Sequence, residues 1–147
     1  MFMKIVKIDM IEMTHILYPP ILLMFLTLFL YVKNYLDNRK GVANKEIRFS
    51  HFKAYREKVP EYIDVSRQTL KNQFELPIFF YFLICLILIF DVLRIIDLIF
   101  AWLFVVSRYM HCYIRLTSNY VPYRAMFFSI GLLILILFWS SFLYNIL

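Results

Sequence analysis

Asn72 and Glu75 stand three residues apart, and Arg108, His111 and Arg115 follow one another at spacings of three and four, the intervals that stack side chains along one helix face. Arg67 and Lys71 precede the first pair, Tyr113 lies within the second set, and Arg124 follows it. Brought together, these residues make a mixed but net positive group. Guanidinium groups bind carboxylates bidentately and Glu75 can take an amine, so the ligand that suits the group is polar and mainly anionic, with one ammonium. Helix starts expected at Asn72 and Arg124 would add partial positive charge toward an anion. Stripes of this kind also arise as plain interhelical contacts, with backbone or water satisfying the side chains.

Other chemistries lack their residues. His15, His51 and His111 are isolated, without an HxxxH pair, so no metal site is expected. Two glycines leave no glycine-rich phosphate loop, nucleophile elbow or dinucleotide fingerprint. Cys85 and Cys112 lie in or beside apolar runs without CxxC spacing, and read as small buried hydrophobes rather than a disulfide framework.

The elements that must position the charged group are set by hydropathy. With 147 residues, 63% of them hydrophobic, and a mean hydropathy of +0.71, the chain is too apolar for a soluble domain. Residues 13–32 and 125–147 carry no Asp, Glu, Lys or Arg over 20 and 23 residues, each enough for a hydrocarbon core of about 30 Å. The first run is too long for a signal-peptide core and reads as a retained helix, with Pro19 and Pro20 either starting or kinking it. Residues 76–90 and 98–107 are uncharged for only 15 and 10 residues, so each needs charged neighbours to complete a crossing. The expected fold is all-α: one four-span membrane domain over 1–147, with spans at about 13–32, 68–91, 96–116 and 123–146 and a connection at 33–65.

Asp91, Arg94 and Asp97 mark a short hairpin at one membrane face, from which depth can be counted. At about 1.5 Å per residue, Glu75 lies about 24 Å from it, Arg108 about 16 Å and His111 about 21 Å. A charged side chain at such depth costs at least about 2.5–3.5 kcal/mol on insertion scales, so these residues should face the bundle interior and pair, Glu75 with Arg108 or His111.

Eight of the 16 Lys and Arg fall within 33–58, which makes this connection cytoplasmic rather than nucleic-acid-binding. The N-terminus, the 91–97 hairpin and the C-terminus then lie outside the cytoplasm. His51, Phe52, Tyr55 and Tyr62 fit a short helix in the connection, lying at the interface.

Two stretches resemble the family of membrane-associated proteins in eicosanoid and glutathione metabolism (MAPEG). One is Asn72-Gln73-Phe74-Glu75-Leu76-Pro77 with the aromatics Phe79, Phe80 and Tyr81, similar to the family's second-helix signature. The other runs from Arg108-Tyr109-Met110-His111 through Asn119 to Arg124, similar to the third-helix end, loop and fourth-helix start. The resemblance spans nearly the whole chain and looks closest to the bacterial branch, which implies the inner (cell) membrane. It implies a four-helix protomer assembled as a homotrimer, with glutathione bound between neighbours. By motif position Asn72, Glu75 and His111 would contact the tripeptide, Lys71 would stand where a basic residue often precedes the Asn, and Arg124 would hold the thiolate. With Arg108, Tyr113 and Arg115 these residues make up the expected glutathione site, with Arg124 as the catalytic group. Arg115 stands where eicosanoid-processing members place a tyrosine, and Ala125 where a serine often follows the arginine; both departures bear on catalysis more than on binding.

The function this implies is a glutathione-dependent transferase or peroxidase acting on lipophilic electrophiles or hydroperoxides that reach the site from the membrane. The alternatives are a non-catalytic lipid-binding or scaffold protein of the same fold, and a small channel or transporter subunit using the intramembrane Arg and Glu as an ion path.

Overall fold

Pro19 and Pro20 lie in the first turn of the first long helix, α1 (Tyr18–Ala43), where their missing N–H groups are not needed and their fixed φ suits the start. They start this helix rather than kink it. The structure, a computed structural model, describes residues 13–55 and 58–147. The charged residues ahead of the first span, Lys4, Lys7, Asp9 and Glu12, lie outside the described residues, as does Arg56 of the basic segment.

Helix α1 does not stop where its apolar run stops. It continues through Lys33 to Ala43, so most of its last turns belong to the segment read as a connection. Lys33 and Asp37 pair across one turn at 2.8 Å, and Asn38 donates to the carbonyl of Asn34. The larger cause is packing against α3 (Glu61–Lys71). Gly41 lets that helix approach closely: a Cβ there would lie 2.5 Å from Cδ1 of Ile63. Charges end the hydrocarbon-spanning part of a helix, but not the helix itself. The connection shrinks to residues 44–60 and holds the short helix α2 (His51–Ala54), flanked by the exposed rings of Phe49 and Tyr55.

The second crossing is broken. Helix α3 ends at Lys71, Asn72–Phe74 form one 3-10 turn, Glu75 takes φ −99° and ψ −94°, and α4 (Leu76–Phe90) starts anew with Pro77 in its first turn. Pro77 has no N–H for the carbonyl four residues back, and its ring excludes a continuous helix through this point. Asn72 therefore caps the C-terminus of α3, and the helix start expected there lies at Leu76.

Asp91, at φ 54°, closes α4 in the left-handed region. Helix α5 (Ile95–Leu116) opens with a capping box: Asp97 accepts from the Arg94 main chain at 2.9 Å and from both ends of its guanidinium. The Arg94 guanidinium also donates to Oγ and the carbonyl of Ser141, fixing the hairpin to the far end of α6 (Val121–Ile146).

The bundle core is aromatic and aliphatic, with Phe80 stacked on Phe104 at 4.7 Å and Phe138 beside them. The outside is apolar as well: Phe25, Phe29, Ile78, Phe82, Leu133 and Leu137 are exposed. A surface of this kind needs lipid as its solvent. The four segments Met13–Ala43, Glu61–Phe90, Ile95–Leu116 and Val121–Ile146 are each long and apolar enough to cross a membrane, and the chain is a multi-pass integral membrane protein.

Candidate functional site

Helix α5 buries Asp97, Ala101, Phe104, Arg108, His111 and Arg115 along one stripe. This period places Arg108, His111 and Arg115 on the face turned toward α3, the 3-10 turn and α6.

Arg108 is fully buried. Its Nη2 lies 3.5 Å from the main-chain oxygen of Asn72, and its guanidinium carbon stands 5.5 Å from the Phe128 ring centre. Its Nε and Nη1 have no hydrogen-bond partner among the described residues. His111 lies between two elements: Nδ1 is 2.9 Å from the carbonyl oxygen of Arg124, and Nε2 is 3.5 Å from Nδ2 of Asn72. A carbonyl only accepts, so Nδ1 carries the proton and Nε2 accepts from the Asn72 amide. The Arg115 guanidinium donates to Oε1 of Gln68 at 2.6 Å, and its buried Nε has no partner among the described residues. Arg124, in the first turn of α6, donates from Nη1 to Oδ1 of Asn119 at 2.6 Å.

Asn72, Arg108, His111, Arg115 and Arg124 are thus gathered at the basic end of the bundle, away from the Asp91 hairpin. Lys71 and Glu75 are not joined to them by a hydrogen bond or ion pair; both are exposed on the flank of the bundle beside the helix break. The expected pairing of Glu75 with Arg108 or His111 does not form in this chain. The three ion pairs among the described residues are Lys33–Asp37, Arg67–Asp64 and Arg94–Asp97. The break at Asn72–Phe74 accounts for Glu75, because it takes that residue off the face a continuous helix would have given it. Tyr113 is 65% exposed and turns instead to a groove of about 450 Å³ between α1 and α5, shared with Phe25, Phe29, Lys33 and Tyr109.

Sequence reasoning overlooked Gln68 and gave Gln73 and Asn119, named within the two motif stretches, no role of their own. Gln68 sits one turn before Asn72 and Gln73 donates to Sγ of Cys112 at 3.2 Å. Their place held a signal: Gln68 on α3 and Gln73 in the 3-10 turn flank the polar motif within the second crossing, and an uncharged amide in a membrane segment must find a partner. Cys85 and Cys112 are both free thiols, Cys112 buried and Cys85 exposed.

Among the described residues no carboxylate lies within ion-pair distance of Arg108, Arg115 or Arg124. Their donors meet neutral carbonyl oxygens of Asn72, Gln68 and Asn119. Such a cluster keeps its charge and can bind an anion. No group of three His, Cys, Asp or Glu that could hold a metal ion is present among the described residues.

No curated protein and no solved structure matches the chain. The sequence model of the MAPEG family matches residues 16–144, most of the chain, across all four crossings and both polar stretches, and the protein belongs to that family.

Proposed function

We propose that the protein is a glutathione-dependent membrane transferase or peroxidase acting on lipophilic electrophiles or hydroperoxides. The family includes such enzymes as well as non-catalytic members. The observation that carries the reading is the convergence of Arg108, Arg115 and Arg124 on neutral carbonyl oxygens, which leaves their charge for an anionic ligand. Glutathione, with two carboxylates, one ammonium and an ionisable thiol, fits a cluster of that sign.

In this reading Asn72 and His111 contact the tripeptide, Glu75 takes its ammonium and Lys71 supplies a further cation. The exposure of Lys71 and Glu75 on the flank supports a site completed by a neighbouring copy, as in a homotrimer. Arg124 faces the sulfur, where a guanidinium favours the thiolate. In transfer the thiolate pair forms a C–S bond as the leaving group departs with its bonding pair, and the thiol proton passes to water. In peroxide reduction the sulfur takes the terminal oxygen and an alcohol leaves; a second glutathione then converts the sulfenic acid to disulfide and water. The reading puts the basic end in the cytoplasm of a bacterial cell membrane, with both termini opposite.

Titration of the purified protein with glutathione, followed by turnover of a chlorinated aromatic and a lipid hydroperoxide, tests the proposal. Absence of both binding and turnover overturns it.

The groove between α1 and α5 favours a second reading, a non-catalytic lipid-binding or scaffold protein. That reading expects co-purified lipid and an unchanged phenotype for Arg124→Ala.

A further inference from the structure

Elsewhere in the bundle two arginines are held by carboxylates: Arg94 by Asp97 at 2.9 Å and Arg67 by Asp64 at 2.5 Å. At the candidate site the side-chain holders are amides, Gln68 for Arg115 and Asn119 for Arg124, both at 2.6 Å. Each is a charge-assisted hydrogen bond, so the amide fixes the guanidinium much as a carboxylate would, without cancelling its charge. Asn119 is itself fixed. Its Nδ2 faces Oε1 of Glu61 at 3.3 Å, which leaves the carbonyl end of the amide for Arg124. Its own N–H donates to the carbonyl of Ile114 at 2.8 Å, and its φ of 48° lies in the left-handed region that Asn tolerates better than most residues.

We propose that Gln68 and Asn119 are positioning residues whose neutrality is the point: they orient the guanidinium groups of Arg115 and Arg124 while leaving that charge to an anionic ligand. A carboxylate of the same shape at either position, with the acidic neighbour that the amide nitrogen now meets (Asp64 or Glu61) made neutral, would keep the fold and weaken ligand binding. The inference rests on the reading that these arginines receive glutathione, and it adds which residues keep the anion site charged.

The test uses the purified full-length protein in nanodiscs, with glutathione affinity, the ultraviolet thiolate signal across pH, and Tm as readouts. Because the amide nitrogens of Gln68 and Asn119 donate to Asp64 and Glu61, Gln68→Glu is combined with Asp64→Asn and Asn119→Asp with Glu61→Gln, so that no like charges meet. These paired variants are expected to hold Tm near the parent value and to raise the glutathione Kd about tenfold or more. Asn119→Asp should also shift thiolate formation to higher pH. Asn119→Gly, which keeps the left-handed backbone and adds no charge, should weaken binding less than Asn119→Asp. A merely structural amide predicts the reverse: the acidic variants, with a stronger hold, would bind as the parent does, and that result overturns the inference while leaving glutathione binding intact. An acidic variant that does not fold overturns it too, since the carboxylate would then not stand in for the amide. A parent protein that binds no glutathione overturns the functional reading and this inference together, and is seen before any variant is made.

Discussion

The ring of His111 donates from Nδ1 to the carbonyl oxygen of Arg124 at 2.9 Å, tying the last turns of α5 to the first turn of α6. Its other nitrogen faces the Asn72 amide at 3.5 Å, so one imidazole spans three elements around the helix break. The position of the Arg124 main chain, and with it the origin of its side chain, is thereby set by a residue thirteen positions earlier.

Replacing that ring removes both contacts without opening an apolar core. His111→Leu should lower stability by about 1 kcal/mol, the scale of interhelical hydrogen bonds in membrane bundles. Asn72→Leu should cost less, its bond to the ring being the longer, and the double variant should cost less than the two losses combined, since both substitutions remove the Asn72–His111 contact. Thermal unfolding in detergent reads all three; full additivity would show that the ring does not couple the break to α6.

Gly131 gives α6 its close approach to α5. A Cβ there would lie 2.8 Å from Oγ of Ser107, which is engaged with the carbonyl of Phe104 at 2.6 Å. Gly131→Ala should therefore destabilise by about 1–3 kcal/mol through overpacking. Adding Ser107→Ala removes the clashing oxygen, and the double variant should recover part of the loss in the same unfolding measurement.

Four crossings and the inward stripe of α5 were legible in the sequence because lipid makes hydropathy nearly decisive and a period of three to four allows only one face. The extent of α1 past Val32 was not: charges mark where hydrocarbon ends, while the helix persists by packing Gly41 against Ile63. Pro77 was in plain view, yet the break it imposes lies upstream at Asn72–Phe74, and this took Glu75 off the face where a regular helix would have put it. Arg108, His111 and Arg115 could be placed on one face by counting, but that Arg115 meets the amide of Gln68 depends on tertiary register between α3 and α5, which no local spacing encodes, and that Arg124 meets Asn119, five residues earlier, depends on the left-handed turn at Asn119.

At the opposite end, Arg94 holds the nearly fully buried Asp97 with a fork of two bonds and reaches Ser141 besides. Arg94→Ala leaves that carboxylate buried without its cation and should cost about 3–5 kcal/mol. The double variant with Asp97→Asn should be the more stable of the two, because the stranded charge is gone. Equal losses for single and double variants would mean that the clamp to Ser141, rather than the ion pair, is what stabilises the hairpin.

Arg108 poses the opposite case, a buried cation with two donors unpartnered and no carboxylate at ion-pair distance among the described residues. A group kept for stability would be paired; one kept for a ligand is tolerated unpaired until the ligand arrives. Arg108→Met, similar in reach and apolar, should leave the ligand-free protein as stable as the parent or more so, by on the order of 1 kcal/mol. It should also weaken glutathione binding about tenfold or more. Arg108→Lys keeps the charge but loses the planar fork that reaches both the Asn72 carbonyl and a ligand, and should fall between the two in affinity. Calorimetric titration alongside thermal unfolding separates the two roles: a large loss of Tm with unchanged affinity would make Arg108 interhelical glue, whereas a loss of affinity at constant or higher Tm places its free donors on the ligand.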